Sequence, residues 1–133
     1  MKRTATEDFL PGLLELPSGH VDEDETLVVA LARELQEETN LKLTSIRDIG
    51  KSFDYLSHSG KKKRQINFIV QAIGQLRLNP EEHSRFYWMT KSEVQNTAQM
   101  LEQNRNIIFD AYEQLSDTNL AIIVSCLLGC RCR

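Results

Sequence analysis

The chain has 133 residues, of which 41% are hydrophobic and 26% charged, with a formal net charge of −3. That is enough for one globular domain with its own core, and the balance argues against a disordered, collagenous or strongly nucleic-acid-binding chain. No apolar stretch reaches the roughly 20 residues of a membrane helix.

Met1 to Asp8 is polar, with no apolar run behind it that would read as a signal peptide. Leu13 to Leu16 reads as a short strand, and Pro17-Ser18-Gly19 as the turn that follows it. Thr26 to Thr39 has no Gly or Pro and is rich in Leu, Ala, Glu and Arg, so it is predicted to be a helix, capped by Asp24 or Thr26. On that helix Glu34, Glu37 and Glu38 stand at i,i+3 and i,i+4 and share one face, an arc of about 100°. Val28, Leu31 and Leu35 form the neighbouring apolar arc, so the acids project from the rim of the core. Like charges this close destabilise a helix and call for a cation. Hard carboxylate oxygens suit Mg²⁺ or Mn²⁺. Taken alone, the cluster reads first as a solvated, charged helix face, the common reading of a Glu-rich helix.

Leu41 to Ile49 is a candidate strand. Phe53 and Tyr55 alternate with polar residues, Ser57 to Gly60 makes a turn, and Ile66, Phe68, Val70 and Ala72 return the alternation, which together predict a hairpin. Lys61 to Arg64 beside its turn suits a solvated end, or attraction of a substrate's phosphates. His20, His58 and His83 have no spacing that argues for metal ligands. Asn79 to His83 is a polar loop leading into an aromatic strand, Phe86 to Met89, with Trp88 read as core. Thr90-Lys91-Ser92-Glu93 is a capping box, and Ile107, Ile108, Ala111 and Leu115 have the spacing of a last helix, expected to cover the sheet. Asn119 to Leu128 is apolar and β-branched. It reads as a strand, a buried helix end, or a tail from an altered reading frame. Cys126, Cys130 and Cys132 sit in one short tail, neither a disulfide framework nor a zinc site, which favours a reducing, intracellular setting.

The pattern Gly19-x5-Glu25-x7-Arg33-Glu34-Leu35-x-Glu37-Glu38-x-Asn40-Leu41 resembles the Nudix box of the MutT-like hydrolases, G-x5-E-x7-R-E-U-x-E-E-x-G-U, with U a bulky aliphatic. It departs at Asn40, where the family has Gly. Asn is the next best residue for the left-handed conformation past a helix end. The resemblance implies an α/β/α sandwich, with a mixed sheet between helices, over residues 1–115. Residues 116–133 are left as an apolar segment of uncertain role. It implies Mg²⁺-dependent (or Mn²⁺-dependent) hydrolysis of a diphosphate bond in a nucleoside diphosphate joined to another group. Glu37 and Glu38 would be the principal metal ligands, and Glu34 a further ligand or the base that orients water. The Ser18 main-chain carbonyl and Glu82, with Glu81 behind it, would complete the site. Gly19 would open the motif, and an ion pair of Glu25 with Arg33 would hold the carboxylates in place. The rival readings are a Nudix fold that binds nucleotides without cleaving them, or an interaction module with an acidic docking face. A homodimer is compatible with all of these; no membrane or nucleic-acid partner is expected, and a cytoplasmic location is. By the same resemblance Lys2-Arg3 would end a first strand that is otherwise missing. Either the chain is truncated or another segment fills that slot, and Leu120 to Leu128 is the apolar candidate.

Overall fold

A computed structural model describes residues 1–5, 12–115 and 122–129. Ten elements follow in chain order: β1 (Lys2–Arg3), β2 (Ser18–His20), α1 (Leu27–Thr39), β3 (Lys42–Ile49), β4 (Phe53–Leu56), β5 (Lys62–Ile73), β6 (His83–Arg85), α2 (Lys91–Asn96), α3 (Glu102–Gln114) and β7 (Ile122–Gly129).

The long strand β5 organises the main sheet, whose order is β2-β7-β5-β3, with β4 also on β5. One edge of β5 carries β3 along Phe68 to Ile73 and then β4 along Lys62 to Gln65, both antiparallel. Gly50 separates the two, its N–H donating to Asn67 O at 2.7 Å. The other edge pairs antiparallel with β7, and β7 pairs in parallel with β2. The sheet is therefore mixed, as expected of the α/β class. The hairpin turns at Ser57 to Gly60, where Gly60 has a φ of 80°. Lys62 to Arg64 lie within β5 rather than beyond its end, and Arg64 pairs with Asp54 across the ladder at 2.7 Å.

Helix α1 lies on one face of this sheet. Thr26 caps it, accepting from Val29 N–H at 3.3 Å, and Asn40 closes it at φ 62° and ψ 12°, the expected left-handed turn. Asn40 adds a bond that Gly could not make, from its Nδ2 to Gln75 O at 3.0 Å. Leu31, Leu35, Leu41, Phe68 and Val70 form the core between helix and sheet. Complete burial of Leu31 or Leu35 is worth about 1.5–3 kcal/mol each.

Five expectations are corrected. Val28 is 53% exposed. The buried stripe runs instead through Leu27, Leu31 and Leu35 with Ala30, which share a face at i,i+4, and Val28 lies about 100° away from Leu27. Leu13 to Leu16 is not a strand: only Leu14 makes bridges, to Lys2 and Met100. The strand is Ser18–His20, read from sequence as a turn, because its partner β7 lies more than a hundred residues downstream. Phe86 to Met89 is no strand, and Trp88 is not core. Pairing with β1 selects His83–Arg85, which leaves Phe86, Tyr87 and Trp88 each more than 40% exposed, the first and last edge-to-face at 6.5 Å.

Other expectations hold. The capping box Thr90–Glu93 is formed in both directions. Helix α3 buries Ile107, Ile108 and Ala111. It is tied beside the end of β3 through Lys51–Asp110 at 3.4 Å and Gln114 Nε2 donating to Ile49 O at 3.5 Å. Of the apolar C-terminal segment, Ile122 to Leu128 is strand, between β2 and β5, and 119–121 lie outside the described residues, as do Cys130 and Cys132. Among the described residues no helix is long and apolar enough to cross a membrane.

Candidate active site

The acids of α1 stand in its second half, toward the negative end of the helix dipole, and the last turn carries no basic residue. Helix stability alone does not favour that placement. It is offset by one guanidinium. Arg33 Nη2 donates to Glu25 Oε1 at 2.5 Å and its Nε to Glu25 Oε2 at 3.0 Å, a two-pronged pair. Arg33 Nη1 donates to Glu34 Oε1 at 2.7 Å and to Glu37 Oε2 at 3.2 Å. A further bond from Nη2 to His20 O at 2.9 Å fastens the helix to the end of β2. The expected pairing of Glu25 with Arg33 is thus present. Its consequence is electrostatic: bonding to Arg33 holds the Glu25 carboxyl below its ordinary value.

Gly19 sits directly under Glu34. A Cβ on residue 19 would lie 1.8 Å from Glu34 Cδ and about as close to both carboxylate oxygens. No side chain fits there while Glu34 keeps its position. Next to it, the Ser18 N–H donates to Glu38 Oε2 at 2.9 Å. Burial pushes the Glu38 carboxyl up to about 8, and Glu15, Glu34 and Glu82 push the same way, against the Ser18 bond. Burial also raises Glu34, against the pull of Arg33.

These groups line an open cleft of about 540 Å³. Ser18, Gly19, His20 and Asp22 form the side contributed by β2 and the loop after it. Glu34, Glu37 and Glu38 come from α1, and Asn79 and Glu82 from the loop before β6. The candidate acids are therefore gathered at one place, Glu82 included. Glu81 does not line the cleft. Burial lowers His20, and the charge of Lys63 from the basic run pushes the same way.

The donor set is hard oxygen throughout, the chemistry of Mg²⁺ and Mn²⁺. Glu34 and Glu38, sheltered and repelling one another beside a position that admits no Cβ, fit a cation better than they fit water. Among the described residues, no three His, Cys, Asp or Glu side chains already converge as a ligand set. Glu34 and Glu37 lean on Arg33, and Glu38 on Ser18. A cation would have to draw the first two partly off the guanidinium.

The NUDIX domain family model matches residues 1–111. The chain belongs to the Nudix family. The α/β architecture around the acidic helix is the Nudix fold, and Nudix domains in general hydrolyse nucleoside diphosphate derivatives with divalent cations such as Mg²⁺. Among curated proteins, none matches the chain.

One group in the Nudix domain was not found from the sequence. His83, read as an unremarkable loop residue, has a side chain only 1% exposed, with Nε2 2.6 Å from Glu15 Oε1. Arg3 Nη1 donates to both oxygens of the same carboxylate, at 3.0 and 3.2 Å. The partners are 68 residues apart, and no local pattern connects them.

Proposed function

We propose that the chain is a Mg²⁺-dependent Nudix pyrophosphohydrolase, which splits the diphosphate bond of a nucleoside diphosphate carrying a second group. The observation that supports this most is the convergence of Glu34, Glu37, Glu38 and Glu82 on one cleft beside Gly19 and Ser18. These acids come from two segments more than 40 positions apart in the chain. A solvated helix face or an acidic docking surface needs no such gathering.

In this reading Glu37 and Glu38 are the principal ligands, joined by the Ser18 carbonyl and Glu82. Glu34 is a further ligand or the base that orients the attacking water. When bound, Mg²⁺ neutralises the phosphates and lowers the pKa of a bound water. The residues supply the rest. Arg33 fixes the directions of Glu34 and Glu37 and keeps Glu25 beside them, a role in which loss of the holding group weakens a metal site. Ser18 N–H aims Glu38. Phosphoryl substitution requires positioning and charge stabilisation more than covalent chemistry, so rigid placement of carboxylates is the appropriate equipment.

The test is a panel of nucleoside diphosphate derivatives, including dinucleotides and nucleotide sugars, incubated with and without Mg²⁺. Mg²⁺-dependent release of a nucleoside monophosphate from at least one compound is expected. Nucleotide binding with no turnover on any of them would favour a non-catalytic Nudix fold.

A further inference from the structure

Glu15 and His83 are not among the residues that line the cleft, yet they join its two sides. Glu15 lies three positions before Ser18, whose N–H holds Glu38. His83 immediately follows Glu82. Between them runs β1, whose Arg3 N–H donates to Leu13 O at 2.9 Å and whose register places Arg3 against His83. Thr4 N–H donates to Glu82 O at 3.0 Å. On the other side of the turn, Glu82 and His83 both donate main-chain N–H to Asn79 O. The His83 ring crosses this small sheet to reach Glu15.

The ring is expensive where it sits. Its Nδ1 is buried with no hydrogen-bond partner, and an unsatisfied buried nitrogen is destabilising. An apolar side chain of the same volume would avoid that cost. What it would lose is the bond from Nε2 to Glu15, a carboxylate that accepts from Arg3 as well. A carboxylate oxygen accepts, so Nε2 is the donor in this bond.

We infer that His83 is a positioning residue: by bonding Glu15 it fixes the loop that presents Glu82, and so the distance of Glu82 from Glu38 and Ser18. This rests on the metal-binding reading of the cleft, in which Glu82 is a ligand. His83 and Glu15 lie outside the lining of the cleft in which substrate and cation would sit.

The test compares His83→Leu, His83→Gln, Glu82→Ala and the double variant His83→Leu with Glu82→Ala. Mn²⁺ alone is titrated against each, and kcat and KM are measured on a compound the wild type hydrolyses. His83→Leu removes the bond and the orphaned nitrogen together, and should fold. Its Mn²⁺ affinity and kcat should each fall about 10-fold, with KM changed by less than about 2-fold. The Gln amide nitrogen occupies about the place of Nε2, so His83→Gln should recover most of both. In the Glu82→Ala background, His83→Leu should change Mn²⁺ affinity no further. If His83→Leu binds Mn²⁺ and turns over like the wild type, or if its effect is undiminished without Glu82, the inference is wrong. If His83→Leu does not fold, His83→Asn against His83→Gln repeats the comparison, since the shorter amide cannot reach Glu15. A wild type that binds Mn²⁺ but hydrolyses nothing overturns the hydrolase reading and leaves His83 to be decided by the Mn²⁺ titrations. A wild type that binds no Mn²⁺ overturns both.

Discussion

Gly19 and Glu34 are packed so closely that the carboxylate occupies the space a Cβ of residue 19 would need, 1.8 Å from Glu34 Cδ. The first residue of the motif is therefore a glycine for a packing reason, independent of backbone dihedrals: its φ is not in the left-handed region. Gly19→Ala should push Glu34 off its place against Arg33. A misplacement of about 1 Å costs on the order of 100-fold in rate. Turnover measured beside the melting temperature checks this, because the loss of rate should far exceed any loss of stability. Unchanged kcat would mean that the position of Glu34 is immaterial.

Glu37 and Glu38 should be equally required and energetically unlike. Glu37 is 59% exposed, whereas Glu38 is sheltered and its ionisation opposed by its surroundings. Glu37→Gln and Glu38→Gln should each lose most turnover. Glu38→Gln should also melt no lower than the wild type without metal, since the cost of a buried charge goes with it. Added Mg²⁺ should raise the melting temperature of the wild type and not that of Glu38→Gln. Thermal scans with and without Mg²⁺ decide the matter, and retained activity in both variants would remove these residues from the site.

Acid should unpick the Glu25–Arg33 pair. The carboxyl of Glu25 is held below its ordinary 4.5 in the folded chain. The unfolded chain therefore takes up its proton first as pH falls. The stability from this pair is complete above about pH 5 and is lost as pH drops through the lowered folded value. The melting temperature of Glu25→Gln should lie below that of the wild type at neutral pH, and the gap should narrow as pH falls below 4.5 and through the lowered folded value. A gap that stays constant over that range would show that the pair contributes nothing through its charge.

Asn40 is a compromise at the helix end. Gly would adopt φ 62° at lower cost, but the Nδ2 bond to Gln75 O would go. These effects oppose each other, so Asn40→Gly should change stability by less than about 0.5 kcal/mol. Asn40→Ala loses the bond and gains no freedom, and should cost about 1–2 kcal/mol. Denaturant midpoints of the two variants check the order. An Ala variant as stable as Gly would place the helix end elsewhere.

Strand β7 lies between β2 and β5, paired on both sides. Removing residues 122–133 should leave unpaired backbone on β2 and β5, with a lower melting temperature and self-association. A single change tests the same point: Ser125→Pro removes a backbone donor opposite Ser18 and Asn67, in a strand with no free edge at that position. If both variants melt as the wild type does and remain monomeric, the segment is dispensable.

The helix, its capping residue, its left-handed end and the clustering of Glu34, Glu37 and Glu38 were legible because each depends on residues within one or two turns of one another. The same holds for the β4–β5 hairpin and the capping box of α2. The Glu25–Arg33 pair came only through the resemblance, since a separation of eight residues is not a helical contact. What tertiary structure alone decided lies at long range. Ser18–His20 is strand because β7 pairs with it, although Pro17-Ser18-Gly19 is turn chemistry by itself. Phe86 to Trp88 fall outside the sheet because β1 takes the preceding residues. Gly19 accommodates Glu34 through a contact across fifteen positions. His83 finds Glu15 across 68. Periodicity and spacing encode which face a side chain occupies on its own element. They carry no information on which distant backbone meets that face, and that meeting is what turns a charged helix into a cleft.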